Sequence, residues 1–409
     1  MKFTQIQNAI PAEQPINFCV APFISTMQTT YGKTSPCAYG VTEWQYDALT
    51  PAERWASPEL NAMRMEFLNG NTPAPCIKCV NEEHSNKDSL RLRMQHWFPA
   101  AYNDFILTGR WQSGPMLISS KVSNVCNLSC RSCAGWDSNS FKNEGLYYKD
   151  TYKTDHPGTP GNRFIPRLLP RHTDYSKFTE IDQNLIKLEF FGGEPLLNLT
   201  HLEFLEHLIS TGKSKDITIF YSTNCTQPIN PRFIRIWREF KKIEFSLSID
   251  HIGQKFEYLR WPAKWSDVEK NVNSIINLPT ELGIPVSCVV SSCATINNAY
   301  YIDEIVEWAN DTVGSSYINM VASPLHAALH VAPDDVKAAI ASHVTNTEVR
   351  GFMQIQPHNP LEWKRWIIWS KRMDLYRNQS FPEVFPEFYH VIKPYWDAVV
   401  DLSEDNFNV

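Results

Sequence analysis

Three cysteines stand close together in Cys126-Asn127-Leu128-Ser129-Cys130-Arg131-Ser132-Cys133. That spacing puts three thiols in one tight loop, near enough to bind neighbouring irons of a cubane cluster. A structural zinc ion takes four protein ligands and a closed four-iron cluster takes four thiolates, so a triplet leaves one coordination position open. Three unrelated buried thiols, or part of a zinc knuckle, are the alternatives. A second set is spread over the N-terminal region as Cys19, Cys37 and the pair Cys76-Ile77-Lys78-Cys79. A turn at Tyr31-Gly32-Lys33 would let a hairpin bring Cys19 toward Cys37. Four thiols saturate either a four-iron cluster or a zinc ion, and ligand count does not choose between them. Of the remaining thiols, Cys225 is expected at the tip of a strand, where it is a hydrogen-atom donor facing the active site or an inert small residue. Cys288 reads as strand core, and Cys293, just past that strand, as a second and weaker donor candidate.

The elements that must carry these groups are legible in the same chain. Its 409 residues, 43% hydrophobic and 20% charged, supply two or three compact domains and exclude a disordered chain. A formal net charge of -6 argues against general nucleic-acid binding or adhesion to anionic lipid. No apolar run approaches the roughly 20 residues that cross a bilayer, and residues 1–14 lack a basic region followed by a hydrophobic one. A cytoplasmic protein without membrane attachment is therefore expected, in which free thiols serve metal or redox chemistry rather than disulfides. No repeat of fixed period is visible.

From Met116 to about Ala322, apolar runs alternate with amphipathic segments, the pattern of parallel strands joined by helices. Strands are predicted at 116–122, 188–191, 217–221, 243–249, 286–290 and 317–321. Thr200 with Glu203 predicts a capping box for the helix after the second strand, with Gly212 as its stop. Ser57-Pro58 predicts another helix start, ended by Gly70. Residues 155–172 read as a long loop, either a solvated insertion or a substrate lid. Beyond Ser323 the pattern turns helical, and Trp363, Trp366 and Trp369 form a stripe that reads as core.

Polar and glycine-rich groups follow these strands. Phe191-Gly192-Gly193-Glu194-Pro195 ends the second strand, Ser222-Thr223-Asn224 the third, and Ser248-Ile249-Asp250 the fourth, with Arg260 downstream. A parallel α/β barrel gathers its reactive groups at such strand ends. Together with the triplet after the first strand, this set resembles the radical S-adenosylmethionine (radical SAM) superfamily over residues 116–322. The signature of that family is C-x3-C-x2-C in the loop after the first strand of a partial barrel. The resemblance implies a [4Fe-4S] cluster on Cys126, Cys130 and Cys133 with one open iron, chelated by the amino and carboxylate groups of S-adenosylmethionine. It implies that Gly192, Gly193, Glu194 and Pro195 meet the methionyl ammonium, that Ser248 and Asp250 lie near the ribose and that Arg260 meets the carboxylate or ribose; Ser222, Thr223 and Asn224 are either further cofactor contacts or caps of a turn. Ser132 departs from the family, which commonly has an aromatic residue just before the third cysteine, and His251 stands where relatives often have glycine. The N-terminal cysteines resemble a twitch or SPASM auxiliary-cluster domain, placed here before the barrel rather than after it.

The expected fold is α/β, a partial (β/α)6 TIM-like barrel at residues 111–325. A cysteine-rich hairpin-helix domain at 1–110 precedes it and a helical C-terminal extension at 326–409 follows. The expected enzyme cleaves S-adenosylmethionine reductively to a 5′-deoxyadenosyl radical and abstracts hydrogen from a peptide or protein. A dehydrogenase or rearrangement enzyme acting on a small molecule is the alternative within the same chemistry. A non-catalytic zinc-binding interaction protein is the alternative from another class. The enzyme would need a reductant such as flavodoxin or ferredoxin, and its second centre would hold [4Fe-4S] or zinc.

Overall fold

The computed structural model describes residues 18–28, 34–38, 50–84, 89–99, 114–135, 137–152, 172–322, 324–354 and 357–403. The expected turn at 31–33 and nearly all of the loop at 155–172 lie outside them. Eight strands are described: β1 (Ser25–Gln28), β2 (Thr34–Ser35), β3 (Leu117–Lys121), β4 (Lys187–Phe191), β5 (Thr218–Thr223), β6 (Lys242–Ser248), β7 (Val286–Ala294) and β8 (Ser316–Met320). They hydrogen-bond in the order β2-β1-β3-β4-β5-β6-β7-β8. The strand and helix succession of an α/β fold is as the sequence predicts, with β3 to β8 at the six expected places and a helical C-terminal region after them. β7 runs on to Ala294, so Cys293 lies within the strand and not beyond it. No helix among the described residues is long and apolar enough to cross a membrane.

The chain divides into two compact units. The first comprises residues 1–121, 173–190 and 200–219. Here β1 pairs antiparallel with β2, Met27 opposite Ser35, and parallel with β3, Ser25 opposite Leu117. The N-terminal hairpin therefore continues a sheet rather than standing apart from it. Phe18, Phe23, Ile24, Trp55, Leu60, Met63, Phe67 and Met94 pack with Leu117 in its core. The helix Pro58–Leu68 starts as predicted, with the Ser57 side chain accepting from the Leu60 N–H, and Gly70 follows it at φ 78°. The Thr200 capping box does not form: Thr200 is already helical at φ -64°, ψ -33°, and its side chain makes no cap bond. An N-cap needs an extended backbone to turn its oxygen back on the helix.

The second unit comprises residues 122–172, 191–199 and 220–409. β6, β7 and β8 run parallel in it, Phe245 beside Cys288 and Cys293 beside Asn319. Parallel strands need covered faces. The helices Trp265–Ile276 and Ile302–Thr312 supply Val268, Val272, Ile275, Ile302, Ile305 and Ala309 as buried positions at helical spacing. Trp363, Trp366 and Trp369 in the helix Pro360–Arg377 are all buried, as a core stripe requires, and the Trp366 indole donates to Asn297 Oδ1 at 3.0 Å.

Candidate active site and a second cysteine centre

The segment after β3 makes no regular structure and is instead tied down bond by bond. Cys126 N–H donates to Asn139 Oδ1 at 3.1 Å, Ser138 Oγ to the Leu128 carbonyl at 2.6 Å, and Cys133 N–H to the Cys130 carbonyl at 3.0 Å. Two N–H groups point at the Cys126 sulfur, from Leu128 at 3.4 Å and from the Asn224 side chain at 3.7 Å. Donors of this kind stabilise charge on a ligating sulfur. Without a cation, burial pushes the Cys126 thiol up to about 12, and burial also raises Cys130. Thiols so placed become good ligands once a cation displaces their protons.

Cys126, Cys130 and Cys133 border one cavity of about 510 Å³, shared with Gly192, Gly193, Ser222, Asn224, Ser248 and Arg260. That volume lies in the range of small-molecule and cofactor pockets. The glycines explain how the walls meet. Gly192 and Gly193 are both left-handed, at φ 79° and 57°, and a Cβ on Gly193 would stand 2.3 Å from the Val125 carbonyl oxygen. The same oxygen accepts from Glu194 N–H at 2.8 Å, so the turn after β4 lies directly on the residue before Cys126.

Four of the expected cofactor contacts, Glu194, Pro195, Thr223 and Asp250, do not border the cavity; Glu194 and Asp250 brace residues that do, and Thr223 bonds to Glu194 behind them. The buried Glu194 carboxylate accepts from Leu196 N–H at 3.1 Å, Thr223 Oγ1 at 2.8 Å and Asn224 N–H at 2.6 Å. Burial raises it to about 7, against the pull of those donors. With its oxygens engaged in this way, the carboxylate locks the ends of β4 and β5 together instead of facing a ligand. Asp250 holds Arg260, Oδ2 to Nε at 2.8 Å and Oδ1 to Nη2 at 3.0 Å, and so fixes the guanidinium charge at the cavity wall, partly matched by its partner. Burial works against that charge, and Asp250 more than offsets it.

Of the two alternatives for Cys225, burial matches the inert one; Cys293 lies elsewhere than expected, and Asp137 is a bordering carboxylate that the sequence did not single out. Cys225 does not face the site: it is fully buried at φ 60°, with its sulfur turned to the Thr223 carbonyl. Cys293 borders the cavity instead, its N–H donating to Asp250 Oδ1 at 2.8 Å, and burial pushes its thiol up to about 12. The signal was the length of β7, which runs on beyond Val290 through the small residues Ser291, Ser292, Cys293 and Ala294. Asp137, Ser132 and Pro324 also border the cavity. Cys288 is half-buried in β7.

In the other unit, Cys19, Cys37, Cys76 and Cys79 border a single small cavity of about 20 Å³, walled by Phe67, Val80, Leu90 and Met94 with Arg91 beside them. The sequence thus brings four thiols from distant segments to one place. Burial and the Cys37 and Cys79 thiols push Cys76 up to about 12, and burial, then Cys37, raises Cys19. None of the ten cysteines is in a disulfide. Among the described residues, no three His, Cys, Asp or Glu side chains are grouped closely enough to hold a single metal ion.

No protein-family model matches the chain, and no curated protein is similar in sequence. Among solved structures, native anSMEcpe with bound AdoMet is 14% identical, covering 64% of this chain and 62% of its own at a TM-score of 0.33. SuiB of Streptococcus suis bound to S-adenosylmethionine is 12% identical, with 80% and 64% covered and a TM-score of 0.35. The same protein bound to its precursor peptide SuiA is 14% identical, with 80% and 64% covered and a TM-score of 0.34. The chain spans less than two thirds of the length of each of these.

Proposed function

We propose that the larger cavity houses a four-iron cluster on Cys126, Cys130 and Cys133 with S-adenosylmethionine beside it, and that the protein is a radical SAM enzyme acting on a peptide or protein. The observation that carries this reading is the company the triplet keeps. The three closely spaced thiols, a fourth from Cys293, two left-handed glycines, the neutral side chains of Ser132, Ser222, Asn224 and Ser248, the Asp137 carboxylate and one fixed guanidinium border the same space. That donor set suits a cluster with one open iron and a zwitterionic nucleoside that fills the opening. Bound there, the reduced cluster would supply the electron that cleaves the sulfonium to methionine and a 5′-deoxyadenosyl radical.

The chain's own groups then have distinct tasks. Arg260, oriented by Asp250, attracts the cofactor carboxylate or a ribose oxygen, while Ser222, Asn224 and Ser248 offer hydrogen bonds to the sugar. The backbone of Gly192 and Gly193 can approach the methionyl ammonium closely because no Cβ intervenes. Glu194 and Thr223 keep β4 and β5 in register behind these groups. The peptide substrate rests on the resemblance of the N-terminal thiol set to auxiliary-cluster domains. For that set we favour a second [4Fe-4S] cluster over zinc, since it accompanies the cysteine triplet in the same chain.

Anaerobic reconstitution followed by dithionite reduction tests the reading. The expected product is 5′-deoxyadenosine, formed by the wild type and by Cys225→Ala and lost in Cys126→Ala, Cys130→Ala or Cys133→Ala. A protein that holds zinc alone, or one with an intact cluster that releases no 5′-deoxyadenosine, would sink it. Substrate class is read by adding candidate peptides and following the consumption of S-adenosylmethionine that couples to their modification.

A further inference from the structure

The cysteine loop is gripped from outside by an element the catalytic reading leaves idle. Arg131, between Cys130 and Cys133, has its side chain buried to 2% exposure. Its Nη2 donates to Asp374 Oδ1 at 2.5 Å and to Gln379 Oε1 at 3.0 Å, its Nη1 to the Ser370 carbonyl at 3.4 Å, and its Nε to the Tyr258 carbonyl at 3.0 Å. The guanidinium also stacks 3.5 Å over the Tyr258 ring. Asp374 and Ser370 belong to the helix Pro360–Arg377, and the other Asp374 oxygen accepts from Phe381 N–H at 2.8 Å. One turn further along the same helix, Arg377 pairs with Glu144 at 2.9 Å, both side chains wholly buried. Glu144 lies in the helix Lys142–Tyr152, on the far side of the cysteine loop in sequence. Backbone bonds continue the grip, Arg131 N–H to the Leu259 carbonyl and Ser129 N–H to the Trp261 carbonyl, both at 2.8 Å, on either side of Arg260.

We propose that the helix Pro360–Arg377 is part of the cluster housing, with Asp374 acting through Arg131 as a positioning residue that fixes the cysteine loop and balances the charge beside the cluster. This rests on the cluster reading above. A buried ion pair is weak evidence for stability, because aligned hydrophobic side chains do as well or better, and its best-attested use is to fix a unique arrangement. Two such pairs one helical turn apart, one inside the cysteine motif and one in the helix that follows it, tie the C-terminal half of a loop that has no regular structure of its own. Reduction adds a negative charge to a cluster, so a cation left unmatched nearby favours the reduced form, whereas a matched pair is nearly neutral to it.

Two measurements on the full chain test the proposal. In the reconstituted protein, Asp374→Asn is expected to raise the cluster's reduction potential, its equilibrium constant for reduction growing roughly tenfold, about 59 mV for one electron. The paired change Arg131→Met with Asp374→Leu removes both charges and is expected to bring the potential back near that of the wild type. A merely structural role would move both variants alike. In the metal-free chain, Asp374→Asn is expected to speed amide hydrogen exchange across residues 126–134 roughly tenfold, with exchange in β7 unchanged. Equal potential shifts in both variants, or unaltered loop exchange in Asp374→Asn, overturns the proposal. Failure of the wild type to bind iron would count against the cluster reading, and the exchange measurement would still decide the grip.

Discussion

Gly193 and Gly253 share a φ of 57° but not their surroundings: a Cβ at Gly253 meets nothing within 4 Å, whereas one at Gly193 meets the Val125 carbonyl at 2.3 Å. The comparison separates backbone strain from collision. Gly253→Ala is expected to cost only the left-handed penalty, about 1–2 kcal/mol by denaturant unfolding. Gly193→Ala must add displacement of the segment before Cys126, so it is expected to cost more and to lower iron retention after reconstitution. Equal unfolding costs and equal iron content would show that the contact with Val125 is immaterial. At this scale the sequence named the cysteine triplet, the glycine pair and Arg260 by type and spacing. It did not distinguish residues that border the cavity from residues behind it. Glu194, Thr223 and Asp250 stand beside bordering residues in sequence but spend their polar atoms on the neighbouring strand or on Arg260. Which side of a strand end a group faces depends on the turn conformation, as the φ of 60° at Cys225 illustrates.

Between elements, the informative group is His251, which follows β6 and is wedged against the helix Ile302–Thr312. Its Nε2 lies 3.4 Å from Glu304, Lys255 belongs to the helix Gly253–Leu259 immediately after it, and the Tyr301 ring stands edge-on at 6.1 Å. Burial, reinforced by Lys255 and opposed by Glu304, lowers it from 6.5 to about 4. The folded chain therefore resists a proton that the unfolded chain accepts, so its contribution is present above pH 6.5 and is lost as the pH falls toward about 4. The loss amounts to up to about 3 kcal/mol. Denaturant midpoints measured across that window should fall less steeply in His251→Gln than in the wild type, and identical slopes would assign the acid sensitivity elsewhere. Element order was largely legible, since period-two runs and amphipathic stretches alternate cleanly from β3 to β8. What escaped was local or long-range: Thr200 enters its helix already helical, and the parallel pairing of β1 with β3 joins segments about ninety residues apart. Neither leaves a trace in a short window of sequence.

For the molecule as a whole, the two cysteine sets belong to different compact units, the triplet to one and Cys19, Cys37, Cys76 and Cys79 to the other. Groups with no shared partners respond to substitution independently. Full reconstitution should then load about eight irons per chain, and Cys76→Ser should reduce this to about four while the reductive cleavage of S-adenosylmethionine persists. Cys130→Ala should do the converse, keeping about four irons in the first unit and losing cleavage. Iron at about four in the wild type, together with one zinc that disappears in Cys76→Ser, would assign the four-thiol centre to zinc and leave the triplet untouched. Loss of all iron in Cys76→Ser would mean that the second centre is needed to assemble the first. The two sets would then form one cooperative system despite their separation in the chain, and the auxiliary centre would have to be counted among the determinants of cleavage.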